Sequence, residues 1–596
     1  MTDWRRVDGG SNRKVRRPGR APASDFAFFA SFAVSLCLLA ATGIRAEESP
    51  DPSVRLYDTA AQSKETLSDA VVAAKRGWKE IAGGTLDHVF QGDAALLNDR
   101  LLLILRACAD GADVYSARAA GFTFRTELAA YPAAQPLTRR LASARILENN
   151  SGAVMVDATY KTGDGRSVAV RYRLAAGQAI LEVRPGDGAQ SLVVLTDGGP
   201  LVVPDFFGDD MVFAGGLRNH EPVGLPAENM FLNLMDGGNA IAMYVWQARN
   251  LQVKAVLGKH PGVLFSGCEA GDVKGRPIWL AFFEAPGLWH ERPVKFADEG
   301  TTVTLDWKPP FAAKWRAALV RPDHTADSWF FRAADEKEPG AAASPARLDG
   351  DRATVAIPPP AKAEAGVDPR VGPLLVYPLD RTRTTPLTEF TPVDILRNTL
   401  GVGPCQYILE AEGLASQDNP TPDQVMMWVE KQFRKKGGKD AAEEIKERLK
   451  AMTEHVGRAR ARLKAYHDFA ASAGALVRVL GTSPEAGRLA EETSPTFARI
   501  VQASADGLAA TDPARLAKSA DEAAALVGRE DAAAQLQRPA TEIRAAGAAL
   551  DRALARCRMA ARWLGVQVAG AGLKDQGEAE TARQVQALAE QVLKGK

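Results

Sequence analysis

Between residues 97 and 337 hydrophobic positions gather in short runs separated by Gly, Asp and Asn turns, spaced as in an all-β domain. The runs predict strands at Leu101–Ala107, Gly121–Leu128, Ala179–Val183, Ser191–Leu195, Ala240–Trp246, Leu251–Val256, Ile278–Phe283, Thr302–Asp306 and Lys314–Val320. Val154 to Tyr160 runs into Thr162-Gly163-Asp164-Gly165 and then Ser167 to Leu174, a hairpin signal. So many short strands imply a large antiparallel β-sandwich.

Helical periods flank this region. Leu67, Val71, Ala74, Trp78 and Ile81 predict a helix over Ser63–Ile81 that ends at Gly83-Gly84 and packs on the sandwich. From Thr421 the chain becomes Ala-rich. Ile445, Leu449, Met452, Val456, Ala459, Leu463, Tyr466, Ala470, Ala473, Val477 and Leu480 follow alternating four- and three-residue steps, a coiled-coil-like seam about 60 Å long at ~1.5 Å per residue. Ser483-Pro484-Glu485 and Pro513 open further helices, and Ile543, Ala546, Leu550, Leu554, Cys557, Ala561, Leu564 and Val568 form a second stripe. One chain thus carries matching helices for an intramolecular antiparallel bundle; a dimer through the same seam is the competing reading.

Between the two lies an Ala-, Pro- and Gly-rich crossing centred on Pro358-Pro359-Pro360. A short insert follows in which Leu374-Leu375-Val376-Tyr377 is extended and Thr391-Pro392-Val393-Asp394 opens a helix closed by Gly401. The chain therefore divides into an export signal at 1–46, a helical segment at 47–96, the sandwich at 97–337 and a linker at 338–370. A connecting insert at 371–415 and an α-helical bundle at 416–596 complete a multidomain α and β architecture.

The export assignment rests on seventeen almost wholly apolar residues, Phe26 to Thr42, behind Arg5, Arg6, Arg13, Lys14, Arg16, Arg17 and Arg20. Cleavage after Gly43 or Ala46 would leave a periplasmic, cell-envelope or extracellular protein; an uncleaved segment would anchor it in the membrane. Leu36 before Cys37 argues against lipidation. Without residues 1–46, which carry eight Lys and Arg and three Asp and Glu, 66 basic residues face 70 acidic, a net charge of −4. No concentrated basic block remains, which sets nucleic-acid binding aside.

Cys108, Cys268, Cys405 and Cys557 are far apart and form no C-x-x-C pair, so neither a zinc ribbon nor a thioredoxin-type site is implied. Cys108 and Cys557 adjoin apolar runs, where a thiol packs as a small hydrophobe. Should one bridge form, Cys405 to Cys557 is the pairing expected. Phosphate-binding, nucleophile-turn and zinc-helix motifs are absent, and no cofactor or metal is implied.

Carboxylates crowd one stretch, Pro204-Asp205-Phe206-Phe207-Gly208-Asp209-Asp210, followed by Asn219-His220-Glu221 and Leu225-Pro226-Ala227-Glu228-Asn229. Converged by the fold, Asp205, Asp209, Asp210, His220 and Glu228 would supply acid and base roles on a sugar ring; otherwise the aspartates satisfy loop amides. Six of the ten tryptophans lie between Trp246 and Trp329. Trp246, Trp279 and Trp315 sit in apolar runs and read as core. Trp289 and Trp329 have polar neighbours and are the candidates for stacking on a ligand.

The string Leu201 to Asp210, the passage from Leu225 to Trp246, and Thr391 to Cys405 with Tyr407 resemble a group of large exported bacterial proteins without assigned activity. Arg321-Pro322-Asp323-His324 stands where that resemblance implies a glycine-containing turn before Thr325. The β region is loosely similar to sandwich domains of carbohydrate-active enzymes, a likeness of fold alone. The leading expectation is an exported binding and assembly protein that recognises a glycan or envelope component through the sandwich. The alternatives are a polysaccharide-acting lyase or hydrolase, and an envelope scaffold dimerising through the helical region.

Overall fold

A computed structural model describes residues 53–109, 111–118, 121–132, 139–196, 198–205, 210–214, 223–247, 251–257, 265–321, 324–333, 345–359, 372–404, 421–434, 441–529 and 531–595. The export segment lies outside the described residues. No helix among the described residues is long and apolar enough to cross a membrane.

The short apolar and alternating segments fold into two large antiparallel sheets laid face to face. The ten-stranded sheet runs from Lys79–Ile81 through Arg55–Asp58, Ala94–Leu97, Leu101–Leu105, Ala112–Arg118, Gly121–Tyr131, Ser191–Thr196, Phe265–Gly271 and Gln252–Leu257 to Val223–Leu225. The thirteen-stranded sheet begins at His290–Pro293 and continues through Pro373–Asp380, Lys314–Val320, Thr325–Phe330 and Asp210–Phe213 to Leu201–Val203 and Met230–Met235. Its second half adds Ala240–Trp246, Ile278–Glu284, Ile180–Pro185, Ser167–Ala175 and Ala153–Thr162 and ends at Arg139–Asn149. Period-two burial places Val154, Val156, Ala158 and Tyr160 in the core between the sheets, while Asp157 on the other face pairs with Arg171.

The middle strands Met230–Met235 and Ala240–Trp246 are buried at every position because both faces of the sheet are covered there. Leu232, Leu234, Ile241 and Met243 pack outward against Val303, Leu305 and Val355 of a four-stranded sheet and against Ile395 and Leu396 of the helix Pro392–Leu400. That helix starts where the sequence places it. Thr391 and Asp394 form a reciprocal capping box with Pro392 at the first turn, and Gly401, at φ 76°, closes it.

Three expectations change. The helix predicted over Ser63–Ile81 shrinks to Asp69–Ala74, because Lys75 turns left-handed at φ 44°, Gly77 follows at φ 79°, and Lys79–Ile81 becomes an edge strand beside Arg55–Asp58. Val72 is the one residue of that short helix that is buried. Within the stretch read as a linker, Ala346–Asp349 and Arg352–Ala356 form a hairpin of the four-stranded sheet. Pro373–Asp380, read as part of an insert, lies between Lys314–Val320 and His290–Pro293 in the thirteen-stranded sheet, apolar on both sides as a central strand must be.

The Ala-rich half forms the helices Pro422–Arg434, Ala442–Arg478, Pro484–Ala510, Pro513–Ala525, Ala532–Gln535, Gln537–Ala569 and Gln576–Leu593. Every seam residue from Ile445 to Leu480, and every residue of the stripe Ile543 to Val568, is buried in one core shared by these helices. Backbones approach closely at Gly507, where a β-carbon would sit 2.5 Å from Ala553 Cβ and 2.7 Å from Leu463 Cδ1. The helix Gln537–Ala569 also serves the sandwich. Its Trp563 joins the inter-sheet core, 5.5 Å from the Phe213 ring, and Val566 rests on Gly224.

Candidate functional site

The strands Lys314–Val320, Thr325–Phe330 and Pro373–Asp380 place Arg316, Phe330 and Tyr377 opposite one another on one face of the sheet. Arg316 and Tyr377 converge on Asp210. The guanidinium donates to Asp210 Oδ1 and to the Asp205 carbonyl, the Tyr377 hydroxyl donates to Asp210 Oδ2, and the Asp205 amide donates to Asp210 Oδ1 at 2.7 Å. Burial, reinforced by the Asp210 charge, pushes the Tyr377 hydroxyl well above its ordinary range, so it stays protonated and remains a donor. The far side of Arg316 lies over the Phe330 ring at 4.6 Å from its centroid.

Phe330 opens onto a cleft of about 1110 Å³ at the shared ends of these strands. Phe311, Phe330 and Phe331 give it an aromatic lining above buried Trp315, and Lys308, Lys314, Arg332 and Arg397 bring cations to its walls. Asp380 is the carboxylate among its lining residues; Lys314 Nζ lies 3.5 Å and Arg397 Nη1 3.4 Å from its two oxygens. Lys308 pairs with Asp351 at the rim. A cavity of this size takes several sugar rings, and aromatic faces beside charged groups suit a polar ring with an apolar face.

The residues singled out from sequence fall elsewhere. Asp209 and His220 lie outside the described residues. Asp210 is the centre of the buried lock, with both carboxylate oxygens engaged. Asp205 and Glu228 line a separate cavity of about 40 Å³ where the helix Gln537–Ala569 meets the sandwich, a space too small for a sugar ring. There Glu228 Oε1 accepts from Arg558, and Glu228 Oε2 is buried without a hydrogen-bond partner among the described residues. The structure thus brings Asp205 beside Asp210 and beside Glu228, in contacts that join structural parts. Among the described residues no group of three His, Cys, Asp or Glu side chains has the geometry to hold a metal ion.

Trp289 is 8% exposed and its Nε1 donates to the Met235 carbonyl at 2.7 Å, so its indole is a core side chain with no face to offer a ligand. Trp329 is half-buried against the outer core, on the strand face opposite Phe330. Trp246 and Trp315 are core as predicted, and Trp279 is half-buried against the outer core. His324 takes φ 67°, the left-handed conformation that glycine adopts most readily, and its ring stacks on Phe213 at 4.8 Å. Cys108, expected to pack as a hydrophobe, is exposed, with Sγ 3.4 Å from Gln62 Oε1. Cys557 is buried beside the Ile500 carbonyl, and Cys405, its expected partner in a bridge, lies outside the described residues.

Sequence reasoning missed Arg316, Tyr377, Phe330, Lys314 and Arg397. Only Phe330 carried a local signal: beside Trp329 in a strand, it must turn to the other face. No family model matches this chain, and no curated protein matches it in sequence.

Proposed function

We propose that the protein is exported and binds a glycan, or another polymer of the cell envelope, in the cleft formed by Lys308–Trp315, Phe330–Arg332 and Asp380–Arg397. The observation that supports this reading is the cleft itself, a cavity of about 1110 Å³ whose aromatic lining lies next to cations. Phe330 is 37% exposed, and the Asp210–Arg316–Tyr377 lock beneath holds its ring in place, so stacking costs little side-chain entropy. The basic, Arg-rich start of the chain followed by Phe26 to Thr42 supports export.

A lyase or hydrolase built on Asp205, Asp210 and Glu228 draws less support, because those carboxylates are engaged or shut into a space too small for substrate. A scaffold that dimerises through the Ile445 to Leu480 seam also draws less, because that seam is covered by helices of its own chain.

The test is affinity electrophoresis of the chain from Glu47 onward through gels containing acidic and neutral polysaccharides, with product release assayed alongside. Retardation without product is expected. Phe330→Ala, checked for native circular dichroism, should weaken it roughly two- to tenfold, the value of one aromatic contact. No retardation on any polymer, or retardation untouched by Phe330→Ala, would sink the reading.

A further inference from the structure

The lining residues of the cleft include four cations and one carboxylate. Lys308, Lys314, Arg332 and Arg397 line it with Asp380; Lys308 is paired with Asp351 at the rim, and Lys314 and Arg397 share the Asp380 carboxylate. Lys314 and Arg397 each expose about half of their side chain (51% and 52%), whereas Asp380 exposes 20%. Asp380 therefore sits beneath the two cations and leaves their outer sides open to solvent. It is also held from below, since the Arg381 amide donates to its Oδ1 at 2.7 Å. Two cations that reach one carboxylate are close enough together for one further anion to meet both. The chain as a whole, net negative once residues 1–46 are set aside, does not explain two half-exposed cations gathered on one carboxylate.

We infer that the polymer taken by this cleft is anionic, a glycan bearing carboxylate or sulfate groups. One such group lies over Lys314 and Arg397 while a ring stacks on Phe330, and Asp380 acts as a built-in counter-ion that the ligand must outcompete. The inference rests on the binding reading given above and adds the ligand class and a residue that sets affinity. Asp380 has the unusual property that its removal strengthens binding: the cations lose their internal partner and meet the ligand with full charge. An exposed ion pair is worth ~0.2–1 kcal/mol, so neutralising Asp380 tightens binding about two- to fivefold. Asp380→Asn keeps the shape and still accepts the Arg381 amide, so the strand end is preserved.

The experiment uses the chain from Glu47 onward and measures dissociation constants for a polyuronate, a sulfated galactan, a neutral glucan and single-stranded DNA, at low and at high salt. The native chain should bind the polyuronate or the sulfated galactan more tightly than the glucan and lose affinity as salt rises. Asp380→Asn should tighten acidic binding about two- to fivefold and leave glucan binding unchanged, while the double variant Lys314→Gln and Arg397→Gln should weaken acidic binding at least ~fivefold. Polyuronate against sulfated galactan decides which anionic group is read. Equal binding of acidic and neutral glycans, or an Asp380→Asn variant that binds no better than the native chain, would overturn the inference and leave glycan binding standing. DNA bound as tightly as the acidic glycans would overturn the assignment to glycans, and no binding at all would remove both readings.

Discussion

Asp58 shows how much of this molecule depends on single buried carboxylates. Its side chain is nearly inaccessible and ties down the loop that precedes Ala94–Leu97: Oδ2 accepts from the Gln91 amide at 2.8 Å and lies 2.9 Å from His88 Nε2, and Oδ1 accepts from Ala60 and Gly92 amides at 2.8 and 2.9 Å. Burial alone would raise its pKa, but these donors outweigh it and hold the carboxyl at about 2. A pKa depressed in the folded state stabilises the fold above the unfolded value near 3.8, and that stability is lost as pH falls through about 2. The contribution at neutral pH is about 2 kcal/mol. Asp58→Asn puts an amide nitrogen against backbone donors, so urea titrations at pH 7 should show it less stable by about that amount. The gap between native and variant should narrow between pH 4 and pH 2; a gap that stays constant across this window would show that the carboxylate charge is not what matters.

At the scale of elements, the sequence is most readable where one period holds for long. The seam from Ile445 to Leu480 and the hairpin strands Ala153–Thr162 and Ser167–Ala175 repeat without interruption, so each residue confirms the phase set by its neighbours. The failed helix over Ser63–Ile81 had the right spacing but lacked a surface to pack its whole length, and two positive-φ residues cut it. The candidate site was hidden for another reason. Asp210 meets Arg316 and Tyr377 across 106 and 167 residues, and Glu228 meets Arg558 across 330, separations over which no local pattern carries information. The docking of helix on sheet was likewise unreadable, although it has a sharp test. A β-carbon on Gly224 would lie 2.1 Å from Val566 Cγ1, so Gly224→Ala forces Val566, or the helix Gln537–Ala569 that carries it, to shift against the strand Val223–Leu225. It should destabilise the protein by ~1–3 kcal/mol. Adding Val566→Ala removes the clashing methyl and should recover most of the loss; a double-mutant cycle with no coupling would mean that the two residues are not in contact.

For the whole molecule the same junction decides whether sandwich and bundle behave as one body. Trp563 leaves the helical stripe to pack among Phe213, His324 and the inter-sheet side chains, Arg558 pairs with Glu228, and Arg562 Nη2 lies 3.5 Å from the Leu251 carbonyl. Chains of this length commonly unfold in steps, domain by domain. Here the bundle contributes a side chain to the core of the sandwich, so neither half can open without exposing an indole and stranding a buried charge. Seven of the ten tryptophans, Trp78 and the six from Trp246 to Trp329, belong to the β region, so fluorescence reports chiefly its unfolding, and ellipticity at the helical band reports that of the bundle. In urea the two signals should move together. Trp563→Ala removes a large buried aromatic, which costs ~3–5 kcal/mol, and because the loss falls on the junction it should separate the two transitions instead of shifting both. Coincident transitions in the variant would place the coupling elsewhere; separate transitions in the native chain would mean that the halves are joined but independent, and that the cleft's affinity does not depend on the helices behind it.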